Sequence, residues 1–236
     1  MIAGPNGSGK STLEKRLDKS WRIGYFLNAD ELEKKLSTDG FINLSDYQLS
    51  LNQQDWEASL TNTGSIATKI ENKSVLDNIS IEHNIIIAGN KKQGSYFSAL
   101  IIEFLRKQLL MTGQTFTFET VMSHPSKVKF LQEAKESGFK TYLYFIGIGS
   151  VETNINRVKE RVLKGGHNVP EEKIRERYTK SLELLFDAVK NSDRAYIFDN
   201  SENKMVWLAE SENGKNIQLK TDAVPQWFDE YLLRKI

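Results

Sequence analysis

Residues 4–12 read Gly4-Pro5-Asn6-Gly7-Ser8-Gly9-Lys10-Ser11-Thr12, and each type suits a grip on a polyphosphate. Glycines let the backbone curl until successive N–H groups point at one anion. Lys10 has the reach to meet β- and γ-phosphate oxygens, and the Ser11 hydroxyl is a hard oxygen donor for Mg²⁺. A helix starting near Lys10 would aim its positive end at the same charge. The run is therefore read as a complete P-loop, with residues 4–12 as the triphosphate cradle. Only Met1-Ile2-Ala3 precede it, so the strand that should lead into the loop is expected to be shortened at its outer end.

Other reactive side chains sit where strands should end. Asp30 follows an apolar run at 23–27 and is flanked by Asn28 and Glu31. A hydroxyl that attacks a phosphoryl group needs its proton removed, and Asp30 is placed for that work; the bland reading makes it the N-cap of the next helix. Glu119 and Thr120 close a second apolar run, where an acid can orient Mg²⁺ or hold a substrate hydroxyl; the bland reading has Glu119 simply pair with a lysine. Arg157 and Arg161 stand one helical turn apart, and Arg177 follows the Gly165-Gly166-His167 linker. Arginines on a closing segment can neutralise charge on a transferring phosphoryl group, so at least one of the three is expected as an arginine finger. The histidines His83, His124 and His167 have no metal-ligand spacing, and cysteine is absent, so no zinc site is expected.

The elements that must carry these residues alternate. Strands are expected at 23–27, 115–118, 141–148 and 195–198, and helices at 10–19, 30–36, 95–111, 125–137, 151–163 and 170–190. Pro170 followed by Glu171 and Glu172 marks a helix start. A β-hairpin is expected from 205–209 and 216–219, turning at Glu212-Asn213-Gly214, with a short helix after Pro225. This alternation predicts an α/β fold, a P-loop NTPase three-layer α/β/α arrangement with a mainly parallel sheet. Ligands then gather at the strands' C-terminal ends, where Gly4–Ser11, Asp30, Glu119, Asp199 and Asn200 fall. Residues 1–236 are read as one domain. An insertion at 37–94 is expected to consist of short helices and to cap the substrate, and 164–177 is expected to form a lid.

Composition narrows the classes. Basic and acidic residues nearly balance, giving a net charge of +1, which offers no general pull on nucleic acid. The most apolar stretch, 99–111, is interrupted by Glu103, Arg106, Lys107 and Gln108, so no membrane span is expected. Without cysteine or a leader-like start, the chain reads as cytoplasmic.

Several motifs taken in order resemble one family. They are Phe118-Glu119-Thr120-Val121-Met122-Ser123-His124, then Arg157-Val158 and Arg161-Val162, then Gly165-Gly166-His167-Asn168-Val169-Pro170. Arg177-Tyr178 and Phe198-Asp199-Asn200-Ser201 complete the series. With the P-loop and Asn28-Ala29-Asp30, they resemble the zeta-toxin family of P-loop kinases over residues 1–36 and about 95–201. The best-known members phosphorylate UDP-N-acetylglucosamine with ATP, and many are toxins checked by an antitoxin. The resemblance implies ATP, or GTP in its place, with Mg²⁺ at Lys10 and Ser11, and Asn200 on the nucleotide side. It also implies Asp30 as base, Glu119 and Thr120 near the acceptor, and lid arginines among Arg157, Arg161 and Arg177. The expected partners are a small-molecule hydroxyl acceptor and an antitoxin protein. Where toxins often carry an aromatic and a basic residue after the base, this chain has Glu31, Leu32 and Glu33. The competing reading is a nucleotide-gated switch or toxin–antitoxin component that hydrolyses ATP only slowly.

Overall fold

The computed structural model describes residues 1–17, 23–62, 76, 78–88, 95–202 and 204–236. Along the chain these form β1 (Ile2–Ala3), α1 (Lys10–Arg16), β2 (Tyr25–Leu27), α2 (Ala29–Asp39) and β3 (Phe41–Asn43). A 3-10 turn (Leu44–Tyr47), α3 (Gln53–Asn62), β4 (Ile79–Glu82), β5 (Ile85–Ala88) and α4 (Ser95–Met111) follow. Next come β6 (Phe116–Thr120), α5 (Ser126–Glu136), β7 (Tyr142–Gly147), α6 (Val151–Leu163), α7 (Glu171–Glu183) and α8 (Leu185–Lys190). The chain closes with β8 (Arg194–Asp199), β9 (Val206–Glu212), β10 (Asn216–Leu219) and α9 (Gln226–Tyr231). It divides into two compact units, Met1–Trp21 with Glu119–Ile236, and Arg22–Phe118.

The first unit is built on the strand order β10-β9-β8-β7-β1, with the end of β6 beside β1. β6, β1, β7 and β8 run parallel, while β9 and β10 close the edge antiparallel. The arrangement is the expected mainly parallel α/β sheet. Alternation in β7 and β8 sends Leu143, Phe145, Ala195 and Ile197 into the core, each at most 1% exposed. Phe130 and Leu131 of α5, Leu185 and Val189 of α8, and Trp227 and Phe228 of α9 are buried with them. Gly147 has no side chain because the Trp227 ring takes the space: a Cβ there would lie 2.4 Å from the indole. The single helix expected at 170–190 is two, broken at Leu184, where the backbone leaves one helix and starts the next.

Asp193 latches the starts of β7 and β8. Its Oδ2 accepts from the Thr141 N–H at 2.7 Å and the Thr141 hydroxyl at 2.9 Å, and Lys135 lies 3.3 Å from Oδ1. Burial opposes its charged form, but these donors outweigh it, and its pKa is lowered below the usual Asp value.

In the second unit β2 lies parallel to the first three residues of β6. Within the 37–94 insertion the described residues correct the expectation of short helices alone. They include an antiparallel sheet ordered β3-β5-β4, together with the 3-10 turn and α3. β4 and β5 meet through a two-residue turn whose residues, His83 and Asn84, both have positive φ (50° and 64°). That handedness matches the twist of a hairpin. Alternation buries Ile79, Ile81 and Ile86. Asn84 locks the turn to the preceding segment, accepting from Leu51 N–H at 2.9 Å and donating to the Leu49 carbonyl at 2.8 Å. α4 supplies the largest buried face of this unit, with Phe104 edge-on to Trp56 at 5.2 Å.

Candidate active site

The 4–12 loop turns because its glycines adopt backbones that side chains rarely allow. Gly4, Gly7 and Gly9 have φ of 146°, 74° and 98°. A Cβ on Gly4 would strike the Ile146 carbonyl at 2.2 Å. The loop is therefore moulded against the C-terminal end of β7 as well as curled on itself. Pro5, Asn6, Ser8 and Lys10 are buried, whereas Ser11 and Thr12 face outward in the first turn of α1.

Lys10 and Ser11 converge on Glu119. The Lys10 ammonium lies 3.8 Å from Glu119 Oε1 and donates to the Gly4 and Pro5 carbonyls at 2.9 and 3.0 Å. The Ser11 hydroxyl donates to Glu119 Oε2 at 3.4 Å. One carboxylate at a strand end thus touches both the cationic and the hydroxyl members of the loop. β1 creates this meeting by pairing Ile2 with Glu119 and Ala3 with Thr120. The Thr120 hydroxyl faces its own backbone, accepting from Met122 N–H at 3.0 Å, where Met122 has a positive φ of 55°.

Asp30 belongs to the second unit. It is exposed in the first turn of α2, and the N-cap of that helix is Asn28, whose side chain accepts from Asp30 N–H at 2.8 Å and Glu31 N–H at 3.3 Å. The capping explanation for Asp30 is thereby removed. No ion pair or side-chain hydrogen bond holds the Asp30 carboxylate among the described residues.

The three arginines have different settings. The Arg157 guanidinium grips the segment after β8, donating to the carbonyls of Asn200 (2.7 Å), Ser201 (3.5 Å) and Glu202 (3.2 Å). Arg161 donates to the His167 carbonyl at 2.7 Å, folding the 164–169 loop over the end of α6. Val169 then packs on Ile155, Val158 and Ile174. Arg177 is half-buried, and no hydrogen bond or ion pair engages it among the described residues. Beside it, burial pushes the Tyr178 hydroxyl up to about 12 while it donates to the Ile148 carbonyl at 2.8 Å.

Asn200 meets the loop directly: its amide donates to the Ser8 carbonyl at 2.8 Å. Sequence reasoning missed Asn154, wholly buried on α6, whose amide donates to the Asn6 carbonyl. It also missed the support beneath Asn200. Asp199 accepts from Trp227 Nε1 at 2.8 Å and from the Ser201 hydroxyl at 2.7 Å, and that hydroxyl accepts from Gly149 N–H at 2.8 Å. A polar residue on the otherwise apolar stripe of α6 was the available signal for Asn154.

Both implied groups fit the residues present. The positive φ of Gly4, Gly7 and Gly9 gives the loop the curled backbone that wrapping a phosphate requires. Ser11 and Glu119 present two hard oxygen donors side by side, the set Mg²⁺ takes when phosphate and water complete its shell.

Comparison with known proteins agrees with this architecture. Over 63 residues the chain is 41% identical to an uncharacterised protein of Haemophilus influenzae, a stretch that is 27% of this chain and 45% of the relative's length. Among solved structures, the AvrRxo1-ORF1:AvrRxo1-ORF2 complex with sulphate ions overlays 93% of this chain and 60% of that one, at TM-score 0.57 and 15% identity. The same complex with ATP overlays equally, at TM-score 0.56. The family model described as Zeta toxin matches residues 84–212, more than half of the chain. That stretch holds Glu119, the three arginines and the Asp199–Ser201 turn, and the chain belongs to the Zeta toxin family.

Proposed function

We propose that this protein is a Mg²⁺-dependent kinase that moves the γ-phosphoryl group of ATP to a hydroxyl of a small molecule. UDP-N-acetylglucosamine or another nucleotide sugar is the leading acceptor. The observation that carries the reading is the convergence of Lys10 and Ser11 on Glu119 at a glycine-built loop. Membership of the Zeta toxin family supports it, as does the overlaid AvrRxo1-ORF1:-ORF2 structure with ATP.

In this reading the N–H groups of the loop and Lys10 bind the phosphates, and Ser11 and Glu119 hold the metal with its waters. Mg²⁺, when bound, offsets charge on the β- and γ-phosphates. Asp30 accepts the proton of the acceptor hydroxyl as its oxygen bonds to the γ-phosphorus. The bond from that phosphorus to the β–γ bridging oxygen breaks, and ADP leaves. Arg177, with its guanidinium uncommitted, is the arginine best suited to meet the transferring phosphoryl group. Arg157 is committed to backbone carbonyls. An antitoxin protein is the proposed partner, on the strength of the family.

The test is a ³¹P NMR screen of hydroxyl acceptors with Mg-ATP. A new phosphomonoester signal is expected with at least one nucleotide sugar, and is expected to vanish in Asp30→Asn. Hydrolysis to free phosphate with every acceptor would overturn the kinase reading and favour a nucleotide-gated switch.

A further inference from the structure

Two asparagine side chains reach the loop from outside, and each ends on a loop carbonyl. Asn154 on α6 donates to the Asn6 carbonyl, and Asn200 after β8 donates to the Ser8 carbonyl at 2.8 Å. Both partners are carbonyl oxygens, which only accept, so the NH₂ end of each amide must face the loop.

A peptide unit is planar and trans, with its C=O and the following N–H pointing in opposite directions. Drawing the Asn6 carbonyl outward therefore turns the Gly7 N–H inward. Drawing the Ser8 carbonyl outward does the same for the Gly9 N–H. Gly7 and Gly9 are left-handed glycines of the loop (φ 74° and 98°). Each is pressed against the element that supplies its asparagine. A Cβ on Gly7 would lie 2.8 Å from the Asn154 carbonyl, and one on Gly9 would lie 2.5 Å from Asn200 Nδ2. The glycines thus serve close approach by the two asparagines as well as positive φ.

The setting of Asn154 argues that its amide is kept for this contact. It is 0% exposed, and its Oδ1 has no hydrogen-bond partner among the described residues. A buried unpaired carbonyl oxygen is destabilising, and an apolar residue would avoid that cost on a stripe that already buries Ile155 and Val158. Asn200 is braced from two sides. Arg157 holds its carbonyl and the next two, while Asp199 and Ser201 tie the turn to Trp227 and Gly149.

We infer that Asn154 and Asn200 are a pair of positioning residues that aim the Gly7 and Gly9 N–H groups at the bound polyphosphate. The inference rests on the nucleotide reading of the loop, and it assigns Asn200 to the loop backbone in place of direct contact with the nucleotide.

The test uses the ¹⁵N-labelled full chain of wild type, Asn154→Ala and Asn200→Asp, titrated with inorganic tripolyphosphate and with ATP, each with Mg²⁺. In wild type the Gly7 and Gly9 amide protons should both move downfield, because a bond to an anionic oxygen deshields them. Asn154→Ala should abolish the Gly7 shift and spare Gly9, Asn200→Asp should do the reverse, and each should weaken binding about tenfold. A merely structural role would not separate the two glycines. If Asn154→Ala fails to fold, as judged by amides outside the loop, half-buried Asn200→Asp and its Gly9 signal carry the test alone. Unchanged glycine shifts in variants that bind like wild type would overturn this inference and leave the nucleotide reading standing. A wild type that binds neither ligand would overturn both.

Discussion

At the scale of single residues the proposed function separates side chains expected to meet substrate from those that hold the loop. Lys10→Ala removes the only cation placed on the loop's own carbonyls among the described residues. ATP turnover is expected to fall at least a hundredfold, with weaker ATP binding in calorimetry. With Asp30 as the proposed general base, Asp30→Asn should lower turnover by about 10²–10⁴-fold while ATP affinity stays within a factor of two, since a base acts on the acceptor. The arginines should divide. Arg177→Ala should reduce kcat by about a thousandfold, as loss of an arginine finger does, with an unchanged melting temperature. Arg157→Ala leaves three backbone carbonyls without their donor, and its first effect should be a lower melting temperature. If Arg157→Ala melted like wild type and lost only kcat, the two roles assigned here would be exchanged.

At the scale of elements, the Asp193 latch ties two parallel strands at their starts. Its folded pKa lies below the unfolded value, so its charged form contributes stability that is fully present above pH about 4. That contribution is lost as pH falls through the depressed folded value. Asp193→Asn should therefore be less stable than wild type by about 1–3 kcal/mol at pH 7, and the gap should narrow below pH about 4 in urea titrations. Gly147→Ala tests packing at the other end of β7. The new methyl meets the Trp227 ring at 2.4 Å, and overpacking of this kind costs about 1–3 kcal/mol. Because Trp227 also donates to Asp199, a red-shifted tryptophan emission should accompany the loss.

The elements also show where sequence periodicity sufficed. α6 was legible because Val151, Ile155, Val158 and Val162 recur at helical spacing, and its observed bounds, Val151–Leu163, are those the pattern predicts. The 79–88 hairpin was not, although Ile79 and Ile81 alternate with Ser80 and Glu82. Its turn is made by His83 and Asn84 rather than a glycine pair, so the usual punctuation was missing. The break at Leu184 was invisible for the opposite reason: Ile174, Leu182, Leu185 and Val189 keep one apolar spacing across it.

For the whole molecule, a ligand that binds only the folded chain must raise its melting temperature. At a hundred times its Kd, Mg-ATP should stabilise by about 2.7 kcal/mol, or about 5–11 °C for a chain of this size. Lys10→Ala should show little of that rise, and a full shift in that variant would place ATP elsewhere. Among the described residues no helix is long and apolar enough to cross a membrane.

Some of this was settled by short-range chemistry. The glycines at 4, 7 and 9 and the adjoining Lys10 and Ser11 announce a phosphate grip, because backbone handedness and donor type are local properties written into consecutive residues. The alternation of strands and helices likewise fixed the α/β class, since side-chain periods follow from local geometry. What acts on the loop from a distance was decided by the fold. Glu119 reaches Lys10 and Ser11 across 108 residues or more, Asn154 reaches Asn6 across 148, and Asn200 reaches Ser8 across 192. No periodicity encodes such meetings. They arise because parallel pairing stacks β6, β1, β7 and β8 with their C-terminal ends together, and only the tertiary structure sets that register.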